Sequence, residues 1–175
     1  CQYAMKQAVN SFIDKVGEQY SEKGDHRMAI VTFGSKAETW QGWTVVDAAG
    51  KSSLKKAVDR LPQNPAGATN IEAGMQAAET LMGSGYAYAG SNMERQKVVI
   101  VFTDGVPTKT TDFNTDVATA AIKSGKKLKD ADALIYTVGI FNGANPAQLH
   151  VISMTERLCL TMPVMEKSGN TGAIQ

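Results

Sequence analysis

Thr69 and Asp104 carry side-chain oxygen atoms and lie next to predicted strand or helix ends, where α/β proteins often bind ligands. Asp104 follows residues 98–102, the strongest apolar β-branched run in the sequence. Thr69 lies in a Gly-Ala-Thr-Asn loop, residues 67–70, directly before a helical pattern of apolar residues. In open α/β sheets, ligands bind beyond the carboxyl ends of the strands. We therefore treat Thr69 and Asp104 as candidate ligand-binding residues.

Both residues also have a purely structural interpretation. Thr69-x-x-Glu72 before an apolar helix fits a capping box, in which Thr69 accepts a hydrogen bond from a backbone N–H and Glu72 reaches back. Asp104 before Gly105 fits the start of a turn. The strand-end position favours a ligand role for Asp104, whereas capping and ligand binding both stay open for Thr69.

Four other prominent side chains are predicted to have structural roles. Asp112 and Asp116 are interpreted as loop and helix-start residues, because acidic side chains favour the first turn of a helix. Trp40 and Trp43 are predicted to pack on the sheet rather than to bind a ligand. None of the four is assigned to a site.

The histidines and cysteines form no recognisable catalytic or metal-binding cluster. His26 and His150 are isolated in the sequence. Cys1 and Cys159 lack the spacing of a metal site, and a disulfide or two unpaired thiols fit them equally well. No Ser-His-Asp set or Cys-His pair is evident, so we expect no enzyme of those classes.

The composition is that of one ordinary globular domain. The 175 residues are 43% hydrophobic and 20% charged, with a formal net charge of +1. No basic run with interleaved aromatic residues suggests a nucleic-acid partner. The lysines at 126, 127 and 129 are interpreted as a solvated helix face. No apolar run approaches the roughly 20 residues that span a bilayer.

Apolar spacing predicts alternating helices and strands, and hence an α/β fold with a mostly parallel sheet and helices on both faces. Residues 83–91 are predicted to be an exposed loop. A domain is predicted over residues 1–146, and residues 147–175 are predicted to be an irregular C-terminal segment, which is either separate from that domain or its end. The predicted helices are 2–20, 52–61, 71–82 and 115–131, and the predicted strands are 28–33, 38–46, 98–102 and 134–140.

Five sequence segments, taken in their order along the chain, resemble a known family: residues 8–12, 28–34, 67–70, 98–105 and 136–141. Together they resemble the von Willebrand factor A (VWA) domains of pilus-tip adhesins and other surface proteins of Gram-positive bacteria. The resemblance covers about residues 5–146. It implies a VWA fold, a location at the cell surface, in the cell wall or on a pilus, or in the secreted fraction, and a protein ligand from a host or an extracellular matrix.

The resemblance also implies a metal-ion-dependent adhesion site at the top of the sheet. In the family, one loop supplies an Asp-x-Ser-x-Ser pattern, a second supplies a Thr that maps onto Thr69, and a third supplies an Asp that maps onto Asp104. The implied cofactor is Mg²⁺ or Mn²⁺. Mg²⁺ requires six oxygen ligands, and a partner protein can complete the set with a carboxylate.

The sequence departs from the family at one point, because it contains no Asp-x-Ser-x-Ser. In the family this pattern closes the first, central strand, just before the helix that begins here near Gln2. We therefore expect a VWA fold without that strand, and Thr69 and Asp104 alone should hold an ion poorly. A longer parent protein and a misplaced gene boundary are the favoured explanations. The third is that tail residues such as 157–162 occupy the central place.

The resulting hypothesis is a binding module of a surface or pilus adhesin, with a metal site that is incomplete in this chain. The alternative is an intracellular VWA module that organises an assembly without metal. An enzyme is not expected. A strand that ends in Asp-Gly resembles phosphatases of the haloacid dehalogenase type, but their nucleophilic Asp would lie two residues earlier, where Phe102 stands.

Overall fold

Four helices and five strands make up the part of the chain that the computed structural model describes: residues 2–19, 26–62, 67–84, 96–103, 115–140 and 159–162. The helices are α1 (Gln2–Glu18), α2 (Ala48–Asp59), α3 (Ile71–Met82) and α4 (Thr115–Asp130). The strands are β1 (Arg27–Phe33), β2 (Ala37–Val45), β3 (Lys97–Thr103), β4 (Ala133–Ile140) and β5 (Cys159–Met162). None of the described helices is long and apolar enough to cross a membrane.

Helix α2 begins a full turn before the predicted residue 52 because Asp47 caps it. The Asp47 carboxylate accepts a hydrogen bond from the backbone N–H of Gly50 at 2.7 Å, which satisfies one of the free donors of the first turn. Gly50 is buried against the end of β2, and a Cβ there would lie 1.8 Å from the carbonyl oxygen of Val45. Only glycine therefore allows the helix to start this close to the strand.

The strands form two sheets in the described part of the chain. β1 and β2 pair as an antiparallel hairpin, and β3, β4 and β5 form a parallel sheet with β4 in the middle. Within the described strands, no ladder joins the two sheets. The resemblance implies a first strand in the centre of the sheet, which this sequence lacks.

The tail does not occupy that central place. Cys159–Met162 pairs in parallel with residues 137–140 of β4, on the edge of β4 opposite to β3. The explanation that residues 157–162 fill the middle of the sheet is therefore wrong for the described residues 159–162. The segment expected to be irregular contributes an edge strand instead.

Helices cover both faces of the β1–β2 hairpin, as the α/β prediction requires. Helices α1 and α2 build one apolar cluster around Ile13 and Leu54, and Met28 and Ile30 of β1 pack against it. Helices α3 and α4 build the other around Ile71 and Leu128, with Val101 and Ile135 of the parallel sheet. Phe33 of β1 packs against this second cluster, so α3 spans the division between the two sheets.

Strand β3 is not equally covered on its two faces. Val101 and Thr103 are buried, whereas Val98 is 40% exposed. A continuous apolar β-branched run such as residues 98–102 is typical of a parallel strand covered on both faces, and Val98 departs from that expectation. The alternation follows from the strand period of two, which sends successive side chains to opposite faces.

The two tryptophans of β2 attach the edge strand to a helix on each side. The indole N–H of Trp40 donates to the carbonyl of Ala57 at 2.8 Å, and that of Trp43 donates to the carbonyl of Leu81 at 3.0 Å. Both acceptors lie in the last turn of their helix, where carbonyl groups lack partners within the helix. Both indole N–H groups thus have structural partners, and packing of the two rings on the sheet stays a prediction.

Candidate functional site

The loop that carries Thr69 lies at the carboxyl end of β1. The backbone N–H of Asn70 donates to the carbonyl of Gly34 at 2.9 Å, and Gly34 directly follows β1. Helix α3 begins at the next residue, Ile71. Thr69 thus stands between a strand end and a helix start, the position at which α/β folds bind ligands.

Asn70, not Thr69, is the N-cap of α3. Its side-chain oxygen accepts a hydrogen bond from the backbone N–H of Ala73 at 3.1 Å. Glu72 accepts a hydrogen bond from the side chain of Gln76 at 3.0 Å instead of forming a capping box with Thr69. The capping-box interpretation of Thr69 is therefore wrong. Asn is as good a cap as Thr, so local pattern alone could not choose between two adjacent residues.

A second contact fixes the loop on the other side of Thr69. The backbone N–H of Ala68 donates to the hydroxyl of Ser35 at 3.1 Å, and Ala68 is buried. Thr69 itself is half-buried and has an interaction partner of its own. Sequence reasoning did not single out Ser35, and its place in a Gly-Ser-Lys turn between two strands gives no functional signal.

The other predicted site residue, Asp104, lies outside the described residues. The last described residue before Asp104 is Thr103, at the end of β3. Thr103 pairs with Gly139 of β4. Thr103 is buried and has an interaction partner. The structure therefore gives the place of Thr69, but not the distance between Thr69 and the carboxylate of Asp104.

The described residues do not make a metal site by themselves. They contain no group of three or more His, Cys, Asp or Glu side chains that could hold an ion. Thr69 offers one hydroxyl oxygen, whereas Mg²⁺ requires six oxygen ligands. The remaining ligands would have to come from elsewhere.

Asp14, a carboxylate with two lysine neighbours, has a structural role away from this loop. It accepts a hydrogen bond from Lys55 at 2.8 Å and lies 3.7 Å from the ammonium of Lys51. The hydrogen bond from Lys55 lowers the pKa of Asp14, although desolvation opposes it. These contacts join α1 to α2.

The remaining residues considered from sequence are distributed through the fold. Asp116 is in the first turn of α4 and is exposed, as predicted, and Lys126 pairs with Asp130 on an exposed face. His26 precedes β1. Asp112, His150 and Cys1 lie outside the described residues, so the structure does not describe a pairing of Cys1 with Cys159.

A family model for the von Willebrand factor type A domain matches residues 2–171. A search of curated proteins returns no match.

Three solved structures illustrate the similarity. Proximal thread matrix protein 1 from the mussel byssus, with a zinc-occupied MIDAS motif, is 21% identical with a TM-score of 0.71, over 92% of this chain and 38% of that one. A von Willebrand factor type A protein from Catenulispora acidiphila is 22% identical with a TM-score of 0.62, over 87% and 32%. The pilus adhesin SpaC from Lactobacillus rhamnosus GG is 16% identical with a TM-score of 0.65, over 87% and 24%. The chain thus spans less than half of each of these chains.

Proposed function

Since the chain belongs to the von Willebrand factor type A domain family, we propose that it is a binding module, not an enzyme, and that it contacts a protein ligand at the end of the sheet where Thr69 lies. One observation carries the proposal. The loop of residues 67–70 is fixed at the carboxyl end of β1 by the hydrogen bond from Asn70 to Gly34, and Asn70 also caps α3. A loop fixed in this way presents Thr69 with little loss of conformational entropy on binding.

We propose that a divalent cation, Mg²⁺ or Mn²⁺, takes part in this contact. Thr69 and Asp104 are the residues that would supply oxygen ligands, and hydroxyl and carboxylate oxygens suit these ions. The zinc-occupied MIDAS motif of the mussel protein supports the presence of a cation in this fold. Because the sequence contains no Asp-x-Ser-x-Ser, these residues alone should hold the ion weakly.

The finer proposal is a role in adhesion at a cell surface, in a cell wall or on a pilus, or as a secreted protein. The likeness to the pilus adhesin SpaC supports it. The ligand would be a host or extracellular-matrix protein with an exposed carboxylate, because an ion with few anionic ligands attracts one more negative group.

The test is binding to a panel of immobilised extracellular-matrix proteins, with Mg²⁺ or Mn²⁺ and with EDTA. We expect the wild-type protein to bind in the presence of the cation and to be released by EDTA. Asp104→Ala should reduce binding about tenfold or more, because a charged ligand is lost. Asp130→Ala removes the same charge at the far end of α4 and should bind like the wild type.

Three results would count against the proposal. Binding that is unchanged in Asp104→Ala would remove the proposed role of this carboxylate. Binding that is insensitive to EDTA would favour the alternative, a metal-independent scaffold module within a protein assembly. Turnover in a screen of phosphatase substrates would contradict a role in binding alone.

A further inference from the structure

The three-residue turn between β1 and β2 touches the loop of residues 67–70 on both sides of Thr69. The turn comprises residues 34–36 and is closed by a hydrogen bond from Gly34 N–H to the carbonyl of Lys36 at 2.8 Å. Its Gly34 carbonyl accepts from Asn70, and its Ser35 hydroxyl accepts from Ala68. The backbone N–H groups of Ala68 and Asn70, the residues on either side of Thr69, therefore both donate to this turn.

Gly67 shows how closely the two segments approach. Its φ of +114° lies in the region that side chains rarely adopt, and a Cβ there would lie 2.8 Å from the hydroxyl oxygen of Ser35. The backbone angle therefore favours glycine, and any side chain there would also displace the Ser35 hydroxyl. The hydroxyl of Ser35 therefore lies close to the backbone of Gly67 and Ala68.

The contacts of Ser35 differ from those of Gly34 in one respect. Gly34 acts through its backbone carbonyl, which every residue possesses, whereas Ser35 acts through its side chain. The N–H of Ala68 is part-buried where it meets the hydroxyl. Without the Ser35 hydroxyl, this N–H would lose its acceptor while its residue stays buried, which is unfavourable for the observed loop conformation.

We infer that Ser35 is a positioning residue for Thr69: its hydroxyl holds the loop of residues 67–70 in the conformation that presents Thr69 to a ligand. The inference rests on the proposed function only in assigning ligand contact to Thr69. Ser35 acts through Ala68, and no contact between Ser35 and the ligand is required.

The test compares three variants of the full chain by amide hydrogen exchange. Ser35→Ala should raise the exchange rate of the Ala68 amide about fivefold to tenfold, the effect of losing one hydrogen bond of ordinary strength. Ser35→Thr keeps a hydroxyl oxygen and should restore slow exchange. Lys36→Ala changes the same turn but leaves the Ser35 hydroxyl in place, and it should behave like the wild type.

A second readout follows Thr69 itself. Broadening of the Thr69 methyl signal by Mn²⁺ should need several times more Mn²⁺ in Ser35→Ala than in the wild type, while the thermal midpoint falls by no more than a few degrees. If the amide exchange rate of Ala68 is the same in Ser35→Ala as in the wild type, the inference is overturned. A uniform rise across the amides of both apolar clusters would overturn it too, since that indicates a general loss of stability.

The inference and the proposed function can fail separately. If the wild-type chain binds no Mn²⁺ at this loop, the proposed metal contact fails. The exchange rate of Ala68 still decides whether Ser35 holds the loop, because it needs no ligand.

Discussion

The side chain of Asn70 sets the start of α3 and, with it, the orientation of the residue before it. Its oxygen accepts from Ala73, and its own backbone N–H donates to Gly34. The first contact is local and typical of an N-cap, whereas the second joins residues 36 positions apart in sequence. Thr69 is thereby left outside the helix, at its amino end.

A pair of substitutions separates the cap from the candidate ligand. Asn70→Ala should lower the free energy of unfolding by about 1 kcal/mol, because the N–H of Ala73 loses its acceptor. Asn70→Asp keeps a side-chain acceptor and should change the free energy of unfolding by only about a few tenths of a kcal/mol. The free energies of unfolding of both variants are measured by urea unfolding at equilibrium.

The matched control is Thr69→Ala, at the adjacent position. If Thr69 is presented to a ligand and does not cap the helix, Thr69→Ala should be less destabilising than Asn70→Ala. The reverse order of the two effects would mean that Thr69 is the cap in solution.

At the scale of elements, the molecule is held together by contacts at the ends of helices. Trp40 and Trp43 of β2 donate to carbonyls in the last turns of α2 and α3. Lys6 of α1 donates to the carbonyls of Asp59 and Leu61 at the end of α2, at 2.8 and 2.6 Å. These contacts reach carbonyl groups at helix ends, which a helix cannot satisfy internally, and they join α1 to α2 and β2 to both α2 and α3.

Asp14 and Lys55 make the junction of α1 and α2 dependent on pH. The pKa of Asp14 is lowered below its ordinary value of 3.8, chiefly by the hydrogen bond from Lys55. A lowered pKa means that the contribution to stability is present above the unfolded-state pKa and is lost as pH falls through the lower folded-state value. Wild-type protein should therefore be more stable than Asp14→Asn at pH 7, with the difference shrinking below about pH 4.

The measurement is thermal or urea unfolding of both proteins between pH 7 and pH 2, at low and high salt. Both side chains are more than a third exposed, so added salt should also reduce the difference by screening. A difference that stays constant over the whole pH range would show that Asp14 acts by packing, not by charge.

At the scale of the whole molecule, the order of helices and strands could be predicted because each element has its own period of apolar residues. The bounds of α3, α4 and β1 differ from prediction by a residue or less. Strand pairing could not be predicted in the same way, because it depends on contacts between distant residues. The edge strand Cys159–Met162 pairs with β4 although the sequence around it has no clean period.

The candidate site could be predicted only in part, for the same reason. The Gly-Ala-Thr-Asn loop and its place before a helix follow from local pattern. The attachment of that loop to Gly34 and Ser35 does not, since it joins segments more than 30 residues apart. The absence of Asp-x-Ser-x-Ser was visible in the sequence, and the described strands form two sheets that no ladder joins.

The most direct test of the central claim is a titration of the ¹⁵N-labelled chain with Mn²⁺, followed by amide signals. If Thr69 and Asp104 offer ligands to a divalent cation, the signals of residues 67–70 should broaden first, and EDTA should restore them. Signals of α1 around Asp14 should be affected last, because Lys55 and Lys51 already neutralise that carboxylate. Broadening that begins at another acidic cluster, or none at a large excess of Mn²⁺, would contradict a metal-dependent contact at this loop.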